Sequence, residues 1–111
     1  MHKTNMIMGI LDMLFGNKSD ELKSLYENGA IIIDVRSVGE YNGGAIPGSK
    51  NIPLPQIATK VKDIKKLNKP IITCCASGMR SGSAASVLKS HGIEVVNGGG
   101  WLNLSRKLDL V

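Results

Sequence analysis

The stretch Ile71-Ile72-Thr73-Cys74-Cys75-Ala76-Ser77-Gly78-Met79-Arg80-Ser81 decides how this chain is read. Ile71 to Cys74 is a short apolar run bounded by Pro70, the pattern of a strand buried on both faces. Residues 75–80 (CASGMR) read as a tight loop around Gly78. A helix is predicted over Ser81 to His91, with Ala84, Ala85 and Leu88 on its inner side and Gly92 as its stop. In open parallel sheets, ligands bind beyond the carboxyl ends of the strands. Cys75 falls at such an end.

The layout favours a thiolate. A helix start presents unpaired N–H groups and the positive end of the helix dipole. Successive loop amides turned inward form an anion-binding nest. Arg80 adds a positive charge. Settings of this kind lower a cysteine pKa from about 8.5 and populate the nucleophilic form at neutral pH. The small side chains of Ala76 and Ser77 leave room above the sulfur. Cys74 is the neighbouring thiol, but adjacent strand residues point to opposite faces. It is expected to be a buried bystander, and a Cys74–Cys75 disulfide is not expected.

Outward from this segment, strands and helices alternate. Ser19 is a candidate N-cap ahead of a helix carrying Leu22, Leu25 and Tyr26, stopped by Gly29. Ala30 to Val35 is a second apolar run, closed by the charged pair Asp34 and Arg36. Residues 42–48 (NGGAIPG) read as loop, with a short strand over Ser49 to Ile52. Leu54, Ile57, Val61, Ile64 and Leu67 fall at helical spacing. Ile93 to Val96 reads as the last strand, Asn97 to Gly100 as loop, and Trp101 to Leu108 as helix. The alternation predicts an α/β domain: a mainly parallel sheet of about five strands with helices on both faces.

Composition narrows the function. The 111-residue chain is 42% hydrophobic and 21% charged, which fits one soluble domain. Its net charge of +5 gathers partly at Lys60, Lys62, Lys65, Lys66 and Lys69, on the outer side of one predicted helix. With no arginine-rich or aromatic-interleaved run beside them, these read as a solvated face rather than a nucleic-acid site. A positive field favours small anionic substrates. Cys74 and Cys75 are the only cysteines, so neither a disulfide framework nor a zinc set with His2 and His91 is expected, and no metal or other cofactor is assigned. The reduced pair points to a cytoplasmic location. Residues 1–18 are expected to be an N-terminal amphipathic extension packing on a domain of residues 19–111. Met6 to Phe15 is apolar but too short to span a bilayer. Asp12 interrupts it and no clean cleavage site follows, against an export leader.

The segment Cys75-x-x-Gly78-x-Arg80 resembles the active-site loop of the rhodanese-like sulfurtransferases. Other landmarks of that family follow in order. Asp34-Val35-Arg36 resembles its Asp-Val-Arg, and Glu40-Tyr41 its Glu-aromatic pair. Ile46-Pro47-Gly48 with Asn51-Ile52-Pro53 resembles its Ile-Pro-Gly…Asn-Ile-Pro segment, and Gly98-Gly99 with Trp101 its closing glycine pair and tryptophan. The resemblance covers about residues 20–105. Two departures are Ala45, where the family often has histidine, and Cys74, where it often has a bulky residue.

The resemblance implies catalysis by Cys75 within a substrate-binding loop of Ala76, Ser77, Gly78, Met79 and Arg80, supported by Asp34, Arg36 and Glu40. Glu40 is expected to pair with Arg36, and Trp101 to pack at the end of the domain. The implied activity moves a sulfane sulfur from a small anionic donor such as thiosulfate to cyanide, a thiol or a partner protein, through a persulfide. Two rivals remain at this point. One is a non-catalytic binding module or single-turnover sulfur carrier. The other is a cysteine phosphatase or arsenate reductase, whose loops hold a longer interval between nucleophile and arginine than the four residues here.

Overall fold

The computed structural model describes residues 18–110. The expected N-terminal extension lies outside them but for Lys18. The elements run α1 (Lys18–Glu27), β1 (Ile31–Asp34), α2 (Val38–Asn42), β2 (Lys50–Asn51), 3-10 turns at Leu54–Gln56 and Ala58–Lys60, α3 (Val61–Lys66), β3 (Ile71–Cys75), α4 (Met79–Ser90), β4 (Val95–Gly100) and α5 (Trp101–Lys107).

The strands form one parallel sheet in the order β2-β1-β3-β4. It has four strands among the described residues rather than about five. Strand β3 sits inside the sheet, and its five residues are all buried. That explains why the strand is apolar but for Thr73, whose hydroxyl donates to the Ser81 oxygen, since both faces of the strand are covered.

The faces carry separate cores, set by the two-residue side-chain period. Ile33, Ile71 and Cys75 join Val61 and Ile64 from α3 and Ala84, Ala85 and Leu88 from α4. Ile32, Ile72 and Cys74 join Leu22 from α1 and Leu104 from α5. The two adjacent cysteines therefore belong to opposite faces, and both are free thiols.

Several element bounds differ from expectation. Ser19 lies inside α1 rather than at its cap. The helix expected from Leu54 to Leu67 is regular only over Val61–Lys66; Pro55 and two 3-10 turns precede it. Helix α4 starts at Met79, two residues early, because Gly78 caps it in the left-handed conformation (φ 104°). Strand β4 runs on through the glycines expected as loop. A bulge between the Thr73–Asn97 and Cys75–Gly100 pairs absorbs one extra residue. Helix α2 was not expected at all. A capping box makes it: the Ser37 hydroxyl accepts from the Glu40 amide, and the Glu40 carboxylate accepts from the Ser37 amide. Among the described residues, no helix is long and apolar enough to cross a membrane.

Candidate active site

Four segments meet at the carboxyl end of β3: the turn 76–78, the first turn of α4, the glycine-rich end of β4, and α2. Cys75 is the last residue of its strand and is fully covered. Its sulfur accepts a hydrogen bond from the Gly78 amide at 2.9 Å. The Ser81 hydroxyl lies 3.4 Å from the same sulfur.

The thiol's acidity follows from these neighbours. Burial pushes its pKa up. The Ser81 hydroxyl and the amides of Ser81, Gly78 and Ser77 pull it down, and the net result is a pKa below the ordinary cysteine value. Hydrogen bonds to the ionised form therefore outweigh desolvation. Cys74 shows the opposite balance. It has no such donors, and burial carries its pKa up to about 12.

Gly78 holds the turn. Its positive φ disfavours any side chain, and a Cβ there would lie 3.3 Å from the Gly99 Cα. Ala76 and Ser77 form the exposed part of the turn, and Met79 is 82% exposed at the first position of α4.

The Arg80 guanidinium is engaged by Glu40. Its Nη1 and Nη2 donate to Glu40 Oε1 and Oε2 at 2.8 and 3.0 Å. The expected Glu40–Arg36 side-chain pair is thus replaced by Glu40–Arg80, and Arg36 reaches only the Glu40 backbone oxygen, at 3.3 Å. The reason is local: Arg36 is already taken. Its Nε and Nη2 bind the buried Asp34 carboxylate at 2.7–3.0 Å, and Nη2 also reaches the Gly44 oxygen at 2.7 Å. The Arg36 guanidinium stacks over Trp101, 4.6 Å from the ring centroid. Asp34 and Arg36 therefore brace the chain between β1, residue 44 and α5, while Glu40 reaches the thiol's loop.

Two residues beside the thiol were not singled out from the sequence. Ser81, in the first turn of α4, contacts the sulfur, and its backbone oxygen accepts from Thr73 Oγ1 at 2.9 Å. Asn97, midway along β4, accepts from Ser81 Oγ at 2.7 Å and donates to the Gly78 oxygen at 3.1 Å. A polar side chain opening a glycine run was the one available signal for Asn97. For Ser81 it was the place three residues into a helix that starts over a cysteine.

The chemistry this permits is nucleophilic: a buried sulfur, ionised more readily than free cysteine, with amides directed at it from a helix start. Known proteins agree with the architecture. The protein YqhL of Bacillus subtilis (strain 168) is 38% identical over 79 residues, covering 70% of this chain and 61% of that protein. The thiosulfate sulfurtransferase GlpE of Pseudoalteromonas translucida (strain TAC 125) is 37% identical over 75 residues, covering 68% and 70% of the two chains. Among solved structures, reduced Bacillus anthracis CoADR-RHD superposes with a TM-score of 0.67 at 34% identity, over 81% of this chain and 16% of that one. The chain thus spans less than two thirds of YqhL and a small part of the Bacillus anthracis protein. The rhodanese-like domain family matches residues 18–106, nearly the whole described fold and every element around Cys75, and the chain belongs to that family.

Proposed function

We propose that this chain is a sulfurtransferase that carries a sulfane sulfur on Cys75, with thiosulfate or a related anion as donor. The observation that supports this best is the Gly78 amide 2.9 Å from Sγ, at the start of α4. A donor fixed there stabilises negative charge on sulfur without reorganising during reaction.

In the first half-reaction the Cys75 thiolate attacks the outer sulfur of thiosulfate. A new S–S bond forms, the donor's S–S bond breaks, and sulfite leaves with the bonding pair. The outer sulfur of the persulfide then carries the charge, cradled by the loop from Ala76 to Arg80. In the second half-reaction cyanide, a thiol or a partner protein takes that sulfur and restores the thiolate. Asp34, Arg36 and Glu40 support the loop and do not touch the reacting atoms. A reducing compartment such as the cytoplasm keeps the thiol in its working form.

Incubation with thiosulfate followed by peptide mass spectrometry tests this reading. The peptide holding Cys74 and Cys75 should gain the mass of one sulfur atom, and cyanide should remove it. Steady-state turnover of thiosulfate and cyanide separates a catalyst from a single-turnover carrier. Hydrolysis of p-nitrophenyl phosphate with no sulfur uptake would overturn the assignment in favour of phosphatase chemistry.

A further inference from the structure

One hydroxyl proton in the site has three acceptors around it. Ser81 Oγ lies 2.7 Å from Asn97 Oδ1, 3.1 Å from the Gly78 oxygen and 3.4 Å from Cys75 Sγ. The shortest contact is to Asn97. The orientation of the Asn97 amide is forced by its other partners. The Gly99 amide donates to Oδ1 at 2.9 Å, and Nδ2 donates to the Gly78 oxygen at 3.1 Å. Turning the amide over would set Nδ2 against the Gly99 N–H and Oδ1 against a carbonyl oxygen, losing both bonds. Asn97 therefore presents only an acceptor to Ser81.

We propose that Asn97 is a positioning residue for the thiol: it competes with the Cys75 sulfur for the Ser81 proton and weakens that hydroxyl's hold on the thiolate, keeping the sulfur more basic and more nucleophilic than a hydroxyl fully directed at it would. In the neutral state the groups form a chain in which Sγ–H donates to Ser81 Oγ and Oγ–H donates to Asn97 Oδ1. On ionisation the Ser81 proton can serve the thiolate only by leaving Oδ1. Two oxygens would then face each other at 2.7 Å with no proton between them. That opposition works against the pull of the loop amides. The gain is in reactivity, because a thiolate of lower pKa is a weaker nucleophile (Brønsted slope about 0.4–0.5). The use made of this reactivity rests on the sulfur-transfer reading; the proton arrangement does not.

The titratable groups around this chain are Arg80, gripped by Glu40, Cys74 on the opposite face, and Asp34 with its partner Arg36; on the other side Lys18 and Glu21 of α1, Lys89 of α4 and Glu94 before β4 line one cavity with Asn97. Among the described residues none of them is hydrogen-bonded to the Ser81 or Asn97 side chain, so substitution at Asn97 breaks none of their ion pairs.

The test is the pH profile of Cys75 alkylation by iodoacetamide. Asn97→Ala should shift the midpoint down and lower the rate plateau above it by roughly twofold. Asn97→Asp keeps and strengthens the acceptor, gives up the Nδ2 bond to the Gly78 oxygen, and should shift the midpoint up. Simple loosening of the loop would move both variants upward. In a Ser81→Ala background the Asn97→Ala shift should disappear, and the Asn97→Asp shift should shrink. If Asn97→Ala does not fold, the Asn97→Asp pair of measurements carries the test. An unchanged or raised midpoint in Asn97→Ala, or a shift at either variant that persists in full without Ser81, overturns the proposal. Alkylation needs no sulfur donor. A chain that titrates as expected yet takes up no sulfur from thiosulfate therefore refutes the proposed function and leaves the role of Asn97 standing.

Discussion

Arg80 and Glu40 form a two-pronged ion pair, Nη1 to Oε1 at 2.8 Å and Nη2 to Oε2 at 3.0 Å. It ties the first turn of α4 to α2, an element encoded forty residues earlier. The same carboxylate oxygen, Oε1, also accepts from the Ser37 amide and hydroxyl at 3.1 and 3.0 Å. Glu40 therefore completes the capping box of one helix and anchors the other. Arg80 acts on the thiol's loop mainly through this anchorage. The donors that make the thiol acidic are a hydroxyl and backbone amides, and the anchor keeps their turn in one place.

An acid-sensitive tie should follow from this pair. The Arg80 guanidinium, with the Ser37 amide and hydroxyl, holds the Glu40 pKa at about 2, against 4.5 for an ordinary glutamate. A depressed carboxylate stabilises the fold above its unfolded pKa and loses that contribution as pH falls through the folded value. The contribution of Glu40 should be complete above about pH 4.5 and gone below about pH 2. Melting temperature measured against pH for the natural chain and Glu40→Gln checks this. The variant should melt a few degrees lower at neutral pH, and the two curves should converge toward pH 2. Curves that stay parallel would show that the ion pair adds no pH-dependent stability. Both side chains are 39% exposed, so salt should shrink the difference.

The two cysteines should behave as different chemical species. Cys75 has a depressed pKa and an amide donor, whereas Cys74 is buried in the other core with a pKa near 12. At neutral pH, iodoacetamide should modify Cys75 and leave Cys74 intact in the folded chain. Cys75→Ser should abolish sulfur uptake from thiosulfate while unfolding stays cooperative. Cys74→Ser should keep most of the uptake and lose about 1–3 kcal/mol of stability, the cost of a hydroxyl in an apolar cluster. Exchanged outcomes would move the reactive sulfur to the wrong face of the sheet.

Much of this arrangement was legible in the residues. The short apolar run Ile71 to Cys74 gave a strand covered on both sides, and the side-chain period alone separated Cys74 from Cys75. What the sequence hid were relations between distant segments. Asp34, Arg36, Glu40 and Arg80 offer several charge pairings, and only packing decides among them. Asp34 lies on a buried strand beside Arg36, so it claims that guanidinium and leaves Glu40 for Arg80. Asn97 was hidden for a related reason. Asn97 pairs with Thr73, and the bulge that follows it brings Gly100 opposite Cys75; such a bulge has no residue signature beyond the glycines that permit it. The overlooked helix α2 differs, since Ser37-x-x-Glu40 is a capping box written openly in the chain.

The turn over the thiol should be unusually intolerant of a methyl group. Gly78→Ala forces a left-handed φ on a residue with a side chain and sets Cβ 3.3 Å from the Gly99 backbone. The expected cost is about 1–3 kcal/mol, read from denaturant unfolding. If the turn relaxes to relieve it, the Gly78 amide leaves the sulfur, and the Cys75 titration should move up toward that of an ordinary thiol. Loss of stability with an unmoved titration would mean that the Gly78 amide contributes little to the thiolate.

The buried pair Asp34–Arg36 supplies the firmest stability prediction. Asp34 is 0% exposed and Arg36 4%, so neither charge can turn to water if its partner is removed. Asp34→Ala leaves a guanidinium with the Gly44 and Glu40 oxygens and the face of Trp101, but no counter-charge. Breaking a buried ion pair in this way costs about 3–5 kcal/mol, a large share of the stability of a domain this size. Removing both charges is a different experiment. In Asp34→Asn with Arg36→Met no unpaired ion remains, and a smaller loss is expected than for Asp34→Ala alone. Equilibrium unfolding in urea of the single and double variants measures the difference. A double variant as unstable as the single one would locate the pair's value in its hydrogen bonds to the surrounding loops rather than in charge neutralisation.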